Sequence, residues 1–211
     1  MKIISTNIAK PVTISKNGKK VQTGIYKKSV EKPISLGLTD VVGDAVIDRK
    51  HNGGIDKACY LYSADHYAFW KEKFPELEWN WGMFGENLTI EGLNEANIMI
   101  GDIYEVGTAT IQVSEPRRPC SILGIRFGTQ QMVKQFHNSD YPGVYVRVLN
   151  EGKVKSGDEL KLKERTEIVS IKEVYSLFSH NKNNSELAKK TFAINSLSED
   201  CKNSLRKTFN I

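Results

Sequence analysis

Along the first two-thirds of the chain, apolar and polar positions alternate in short runs broken by glycine and asparagine. Lys2 to Ala9 reads as a short apolar strand, and Asn17-Gly18 is a hairpin signal followed by the alternating Val21, Thr23 and Ile25. Ala58 to Tyr62 is a compact apolar run that predicts a buried strand, and Gly101 to Ser114 predicts two strands around Gly107. Val144, Val146 and Val148 alternate with Tyr145 and Arg147, so one face buries valines while the other presents polar groups. Asp158 to Leu162 adds a further short strand. Helical periods are rarer here. Ser63 caps a helix carrying Tyr67, Trp70 and Phe74 on one face until Pro75 stops it, and a second helix is expected over Gln130 to His137. With no regular strand–helix–strand rhythm, the pattern predicts a mainly β domain, closed or folded over on itself.

The period changes after about Arg165. Ile168, Ile171, Val174, Tyr175 and Phe178 recur every three or four residues, and Ser185 to Ala193 offers a second short helix. Ser196 and Glu199 have capping-box spacing ahead of Leu197, Cys201 and Leu205, which share one face. The expected organisation is therefore a β domain over 1–165 and a three-helix extension over 166–211.

Composition narrows the class. Of the 211 residues, 39% are hydrophobic and 26% charged, ordinary values for a globular chain that builds its core without metal or disulfide staples. No apolar run approaches membrane-spanning length, and the start, Met1-Lys2-Ile3-Ile4-Ser5, is too short for a signal peptide. A cytoplasmic location with no membrane partner is the expectation. The net charge of +5 is uneven: from Lys163 onward there are nine Lys/Arg against six Asp/Glu, and before it 21 against 19. The main domain must then gather its cations locally to hold an anion. Three short helices also describe a helix-turn-helix unit, but the tail's basic residues are scattered, so nucleic acid is not an expected partner.

The three cysteines, Cys59, Cys120 and Cys201, lie too far apart for a CxxC or zinc-type spacing. Cys59 sits within an apolar run and Cys201 on a helix face, so packing explains both. Cys120 differs. It closes the run Pro116-Arg117-Arg118-Pro119-Cys120, where the prolines stiffen a segment unsuited to regular structure and two cations favour a thiolate. It reads as a reactive thiolate or metal ligand, against the plainer alternative of a small buried hydrophobe. A second constellation runs from Asp48 to Lys57. Gly53 and Gly54 permit close backbone approach, while Arg49, His51 and Lys57 supply donors suited to a phosphate or anionic ring. The third is Trp81 to Leu88, where glycines bracket apolar residues and Glu86 with Asn87 offers a carboxylate and an amide at a strand entrance. Walker A, GxGxxG, HExxH and GxSxG patterns are absent.

In order, these pieces resemble the MOSC domain family, named after the C-terminal part of molybdenum-cofactor sulfurases. The resemblance rests on Arg49-x-His51-x-Gly53-Gly54-x-x-Lys57-Ala58, Gly85-Glu86-Asn87-Leu88, Gly101-Asp102 and Pro116-Arg117-x-Pro119-Cys120, and covers roughly residues 15 to 165. It is especially similar to the bacterial YiiM-like subgroup, whose members carry a small three-helix extension. What the resemblance implies is a β-barrel that binds molybdenum cofactor, a pterin dithiolene bearing a phosphate, with Cys120 coordinating molybdenum or carrying sulfur. Arg49, His51, Gly54 and Lys57 would then hold phosphate or pterin oxygens, Arg117, Arg118 and Arg147 would add charge, and Glu86 and Asn87 would meet the pterin edge or the metal. It implies reduction of N-hydroxylated compounds such as hydroxylaminopurine-like bases, with electrons from a separate donor protein. The rival implication is a sulfur-carrier or cofactor-handling protein using a Cys120 persulfide.

Overall fold

The computed structural model describes residues 1–49 and 53–211. Its strands are β1 (Lys2–Ile8), β2 (Val12–Lys16), β3 (Lys19–Thr23), β4 (Lys28–Ser29), β5 (Ile34–Leu36), β6 (Cys59–Ser63), β7 (Leu88–Glu91), β8 (Ile103–Val106), β9 (Ala109–Pro116), β10 (Val144–Asn150), β11 (Gly152–Val154) and β12 (Leu160–Glu164). Helices are α1 (Tyr67–Lys73), α2 (Ser121–Arg126), α3 (Gln131–His137), α4 (Ile171–Ser176), α5 (Ser185–Phe192) and α6 (Glu199–Phe209). Among the described residues no helix is long and apolar enough to cross a membrane.

Eight strands form one sheet in the order β12-β8-β9-β10-β6-β7-β1-β4. The mainly β expectation is met, but a closed barrel is not. At the N-terminal end of β1, the Ile3 amide donates to the Asp158 carbonyl at 2.8 Å and the Leu160 amide donates to Met1 at 2.9 Å. This draws β1 toward the segment before β12 at the far edge, yet the strand pairing there amounts, among the described residues, to one isolated bridge, Lys2 to Glu159. A register shift between Ile3 and Ser5 bends β1, and beyond it the outer edge pairs with β4 through Asn7 and Ser29 instead. One parallel pair, β6 with β7, departs from the sequence reading: α1 serves as its crossover.

Two apolar clusters divide the interior. The aliphatic one joins sheet residues such as Ile3, Leu61, Ile111 and Val146 to Ile171, Val174, Leu197 and Leu205 of the extension. The 1–165 and 166–211 segments therefore share a core. The aromatic one gathers Tyr60, Tyr62, Tyr67, Trp70, Phe84 and Phe136 under α1, α2 and α3. The Ser170 hydroxyl accepts from the Glu173 amide and the Glu173 carboxylate accepts from the Ser170 amide, so α4 starts with a full capping box. For α6 the cap is Ser198, whose hydroxyl accepts from the Cys201 amide; the predicted cap, Ser196, instead turns its carbonyl toward Arg147 at 2.6 Å.

Candidate functional site

The β9–β10 ladder ends where Val144 pairs with Pro116 and Tyr145 with Glu115, and a register shift follows Tyr145. Pro116 and Pro119 bring no backbone donors, so the chain leaves the sheet at this point and turns over its end. It re-enters regular structure at Cys120, which is the N-cap residue of α2. That short helix was not legible in the sequence. Beside this turn lies a cavity of about 830 Å³, within the range of cofactor and small-molecule sites. Its walls come from the β9–α2 turn, Lys57, Ala58 and Tyr60, Phe84, Gly85 and Asn87, the loop from Asp44 to Asp48, the β2–β3 hairpin and the start of α6.

The structure separates the three thiols. Cys59 and Cys201 are fully buried, and burial pushes both thiols well up, which keeps them protonated. Cys120 is half-buried and lines the cavity.

Arg117 is 6% exposed and also lines the cavity. Its guanidinium lies between the rings of Tyr60, 5.0 Å away, and Phe136, 5.5 Å away. Among the described residues Nη1 has no hydrogen-bond partner, and no carboxylate pairs with the group. Burial works against its charge, but Tyr60, Tyr145 and Cys120 more than offset this and raise its pKa further. A buried cation with an open donor is costly unless something anionic meets it.

Lys57, Arg118 and Lys27, which also line the cavity, are held by carboxylates. Lys57 Nζ lies 2.8 Å from Asp200 Oδ2 and 3.5 Å from Glu115 Oε1. Burial opposes its charge, whereas Glu115 and Asp200 raise its pKa. Arg118 donates to the same Asp200 oxygen at 3.0 Å and to Ser204 Oγ at 2.7 Å. Lys27 and Asp44 form a buried ion pair, and Asp44 also accepts from the Ala9 amide and from Asn87 Nδ2. Burial raises the Glu115 carboxyl, while Lys57 and Arg118 counter it. Thus α6 supplies Asp200 and Ser204 to the cavity wall.

Of the residues singled out in the sequence, Lys57, Asn87, Arg117, Arg118 and Cys120 converge on this cavity. Both arginines of the Pro116–Cys120 run face it, one buried and one at its rim. Four others do not line it among the described residues. Glu86 is fully buried behind the wall and accepts from Tyr67 Oη, the Gly82 and Phe84 amides and Thr89 Oγ1, bracing the Gly82–Gly85 turn. Arg147 clamps Asp56 Oδ1, Gln112 Oε1 and the Ser196 carbonyl. Arg49 pairs with Asp40 at 2.6 Å and is largely exposed. Gly54 adopts φ 84°, a glycine conformation, as it starts the short turn leading to Lys57. His51 lies outside the described residues.

Sequence reasoning missed Lys27, Asp44, Tyr60, Glu115, Tyr145 and Asp200. Tyr145 alone carried a signal, since its alternation with buried valines placed it on the other face of β10. Nothing local marks Asp200, which lies 80 residues from Cys120 and reaches the cavity through tertiary packing.

Comparison with known proteins gives this geometry a family. The MOSC domain family model matches residues 48–161. An uncharacterized protein of Bacillus subtilis, YflK, is 42% identical over 165 residues, which cover 78% of this chain and 74% of YflK. A protein from Gibberella moniliformis named reductase is 36% identical over 151 residues, covering 70% of this chain but only 27% of its own length. The crystal structure of YiiM from Geobacillus stearothermophilus superimposes with a TM-score of 0.83 at 32% identity, covering 99% of this chain and 98% of that one. The chain belongs to the MOSC domain family, in its YiiM-like branch.

Proposed function

We propose that the chain is an oxidoreductase that binds molybdenum cofactor in this cavity and reduces N-hydroxylated compounds. The observation that carries the reading is the juxtaposition of Arg117 Nη1, buried and without a partner, with the half-buried thiol of Cys120. A phosphate-bearing group with a thiophilic metal fits that donor set: guanidinium for oxyanion, thiolate for soft metal. When bound, the cofactor would supply the two-electron redox centre. Cys120 would be its protein ligand, with Arg117, Arg118 and Lys57 toward its anionic part. MOSC membership and a reductase-named relative also support the reading.

The chain's own residues then have defined tasks. Arg117, fixed between two rings, keeps a positive charge in a low-dielectric wall without reorganising. Tyr60 and Phe84 line the cavity with flat apolar surface suited to an aromatic substrate. Tyr145 is held in its protonated form by burial, against the opposing effect of Arg117 and Lys57, so its hydroxyl carries a proton at the cavity wall. The net reaction converts a hydroxylamine, two electrons and two protons into an amine and water.

The test is turnover of an aryl hydroxylamine by protein loaded with molybdenum cofactor and driven by dithionite-reduced methyl viologen. Amine should form with wild type, and Cys120→Ser should lower the rate by roughly 100-fold or more. No amine, together with Cys120-dependent sulfane sulfur released by cyanide, would instead establish the carrier role.

A further inference from the structure

The first 30 residues contain seven lysines and no arginine, aspartate or glutamate; Glu31 is the first acid. Lys27 is neutralised by Asp44, but Lys10, Lys19 and Lys20 are exposed and form no ion pair among the described residues. Lys19 and Lys20 lie on the β2–β3 hairpin, a two-stranded sheet of its own, and Lys10 lies two residues before it. Asn17 and Gly18 have φ 51° and 75°, so the tip is a tight turn with both central residues left-handed. Register sets Lys16 directly across from Lys19. Like charges in opposed positions weaken a hairpin, and the hairpin itself carries no acid to offset them. Lys16, Val21, Gln22 and Thr23 meanwhile line the cavity. The result is a cationic arm at the rim of the proposed redox site.

Reduction of a hydroxylamine needs two electrons per turnover. The three cysteines lie at least 61 positions apart and the chain has no GxGxxG run, so the sequence offers no ligand set for a conventional iron–sulfur cluster and no Rossmann site. Electrons then arrive from outside, and a lysine field at the rim steers and orients a carrier of opposite charge. We infer that the β2–β3 hairpin is the docking surface for an electron-carrier protein with an acidic face, which gives up two electrons in total per substrate reduced. This rests on the reductase reading. Nucleic acid fits less well, because Lys10 to Thr23 contains no arginine and no aromatic residue for stacking on bases. An additional phosphate on a small ligand would meet Lys16, whereas Lys10, Lys19 and Lys20 do not line the cavity.

The experiment compares cofactor-loaded wild type with the Lys10→Glu, Lys19→Glu, Lys20→Glu triple variant, using two donors. One is a reduced flavodoxin, a small acidic carrier; the other is reduced methyl viologen, a small cation. The flavodoxin-driven kcat/KM should fall by at least about tenfold in the triple variant and should fall with salt in wild type, while the viologen-driven rate holds. An unchanged flavodoxin-driven rate in the variant, or no flavodoxin-driven turnover in a wild type that viologen drives, overturns the docking role. So does an equal loss with both donors, and so does salt-sensitive binding of a single-stranded oligonucleotide that the triple variant abolishes. Absence of viologen-driven turnover in wild type defeats the reductase reading itself, and docking with it.

Discussion

Two arginines show how differently this molecule places a positive charge, one at the surface and one in the interior. Arg165, exposed and just before the extension, is held by two of its nitrogens: Nε donates to Asp102 Oδ1 at 2.7 Å, and Nη2 donates to Asp102 Oδ2 at 2.6 Å and to the Asn97 carbonyl at 2.9 Å. Asp102 is fully buried and accepts further from Tyr104 Oη and the Met99 amide. Arg117 is more deeply buried than Arg165, yet it has aromatic rings on its faces and an open Nη1. The first arrangement is complete in the folded chain and serves to tie the extension to the sheet. The second leaves Nη1 without a partner beside a half-buried thiol, which is where the proposed cofactor would bind.

The largest effect is expected at Arg165. Arg165→Met strands a buried Asp102 carboxylate and should cost about 3 kcal/mol in urea unfolding, the low end of the range because Arg165 itself is partly solvated. Anion affinity should be unchanged; a large loss would mean that the two regions are coupled. Arg117→Met should do the opposite. It removes an uncompensated buried cation and keeps the volume, so unfolding free energy should hold or rise. Affinity for molybdenum cofactor should fall roughly 100-fold, the usual effect of removing one charge of a buried pair. Loss of stability with affinity intact would make Arg117 a structural residue like Arg165. The smallest effect is expected at Asp200, whose carboxylate occupies Lys57 and Arg118. Asp200→Asn should tighten binding of inorganic pyrophosphate by about three- to tenfold in calorimetry, with a steeper dependence on salt. Weaker binding would show that Asp200 holds those cations in their working positions.

How much of this was legible in the sequence follows from the range of the interactions involved. Period-2 runs such as Val144 to Val148 and the Asn17-Gly18 turn are local signals, and the strands there form as read. The three helices of the extension announced themselves by spacing in the same way. Strands β4, β5 and β11, of two or three residues each, exist only through their partners, and periodicity has no hold on so short a segment. The sheet was expected to close and does not, because a bulge and a competing edge strand at β1 are tertiary facts. At the cavity, Cys120, Arg117, Arg118 and Lys57 were legible by residue type and clustering. Glu86 and Arg147 have the same chemistry, but the fold turns them toward internal partners. Asp200 could not be read at all, since its role arises where α6 crosses the end of the sheet.

The central claim is that Cys120 and Arg117 together hold a molybdenum-bearing anion. Its most direct test is the molybdenum content of wild type and Cys120→Ser purified from a host that makes the cofactor, with circular dichroism confirming that both are folded. About one molybdenum per wild-type chain and near-complete loss in the variant are expected. Metal absent from folded wild type, or present equally in both proteins, would contradict it.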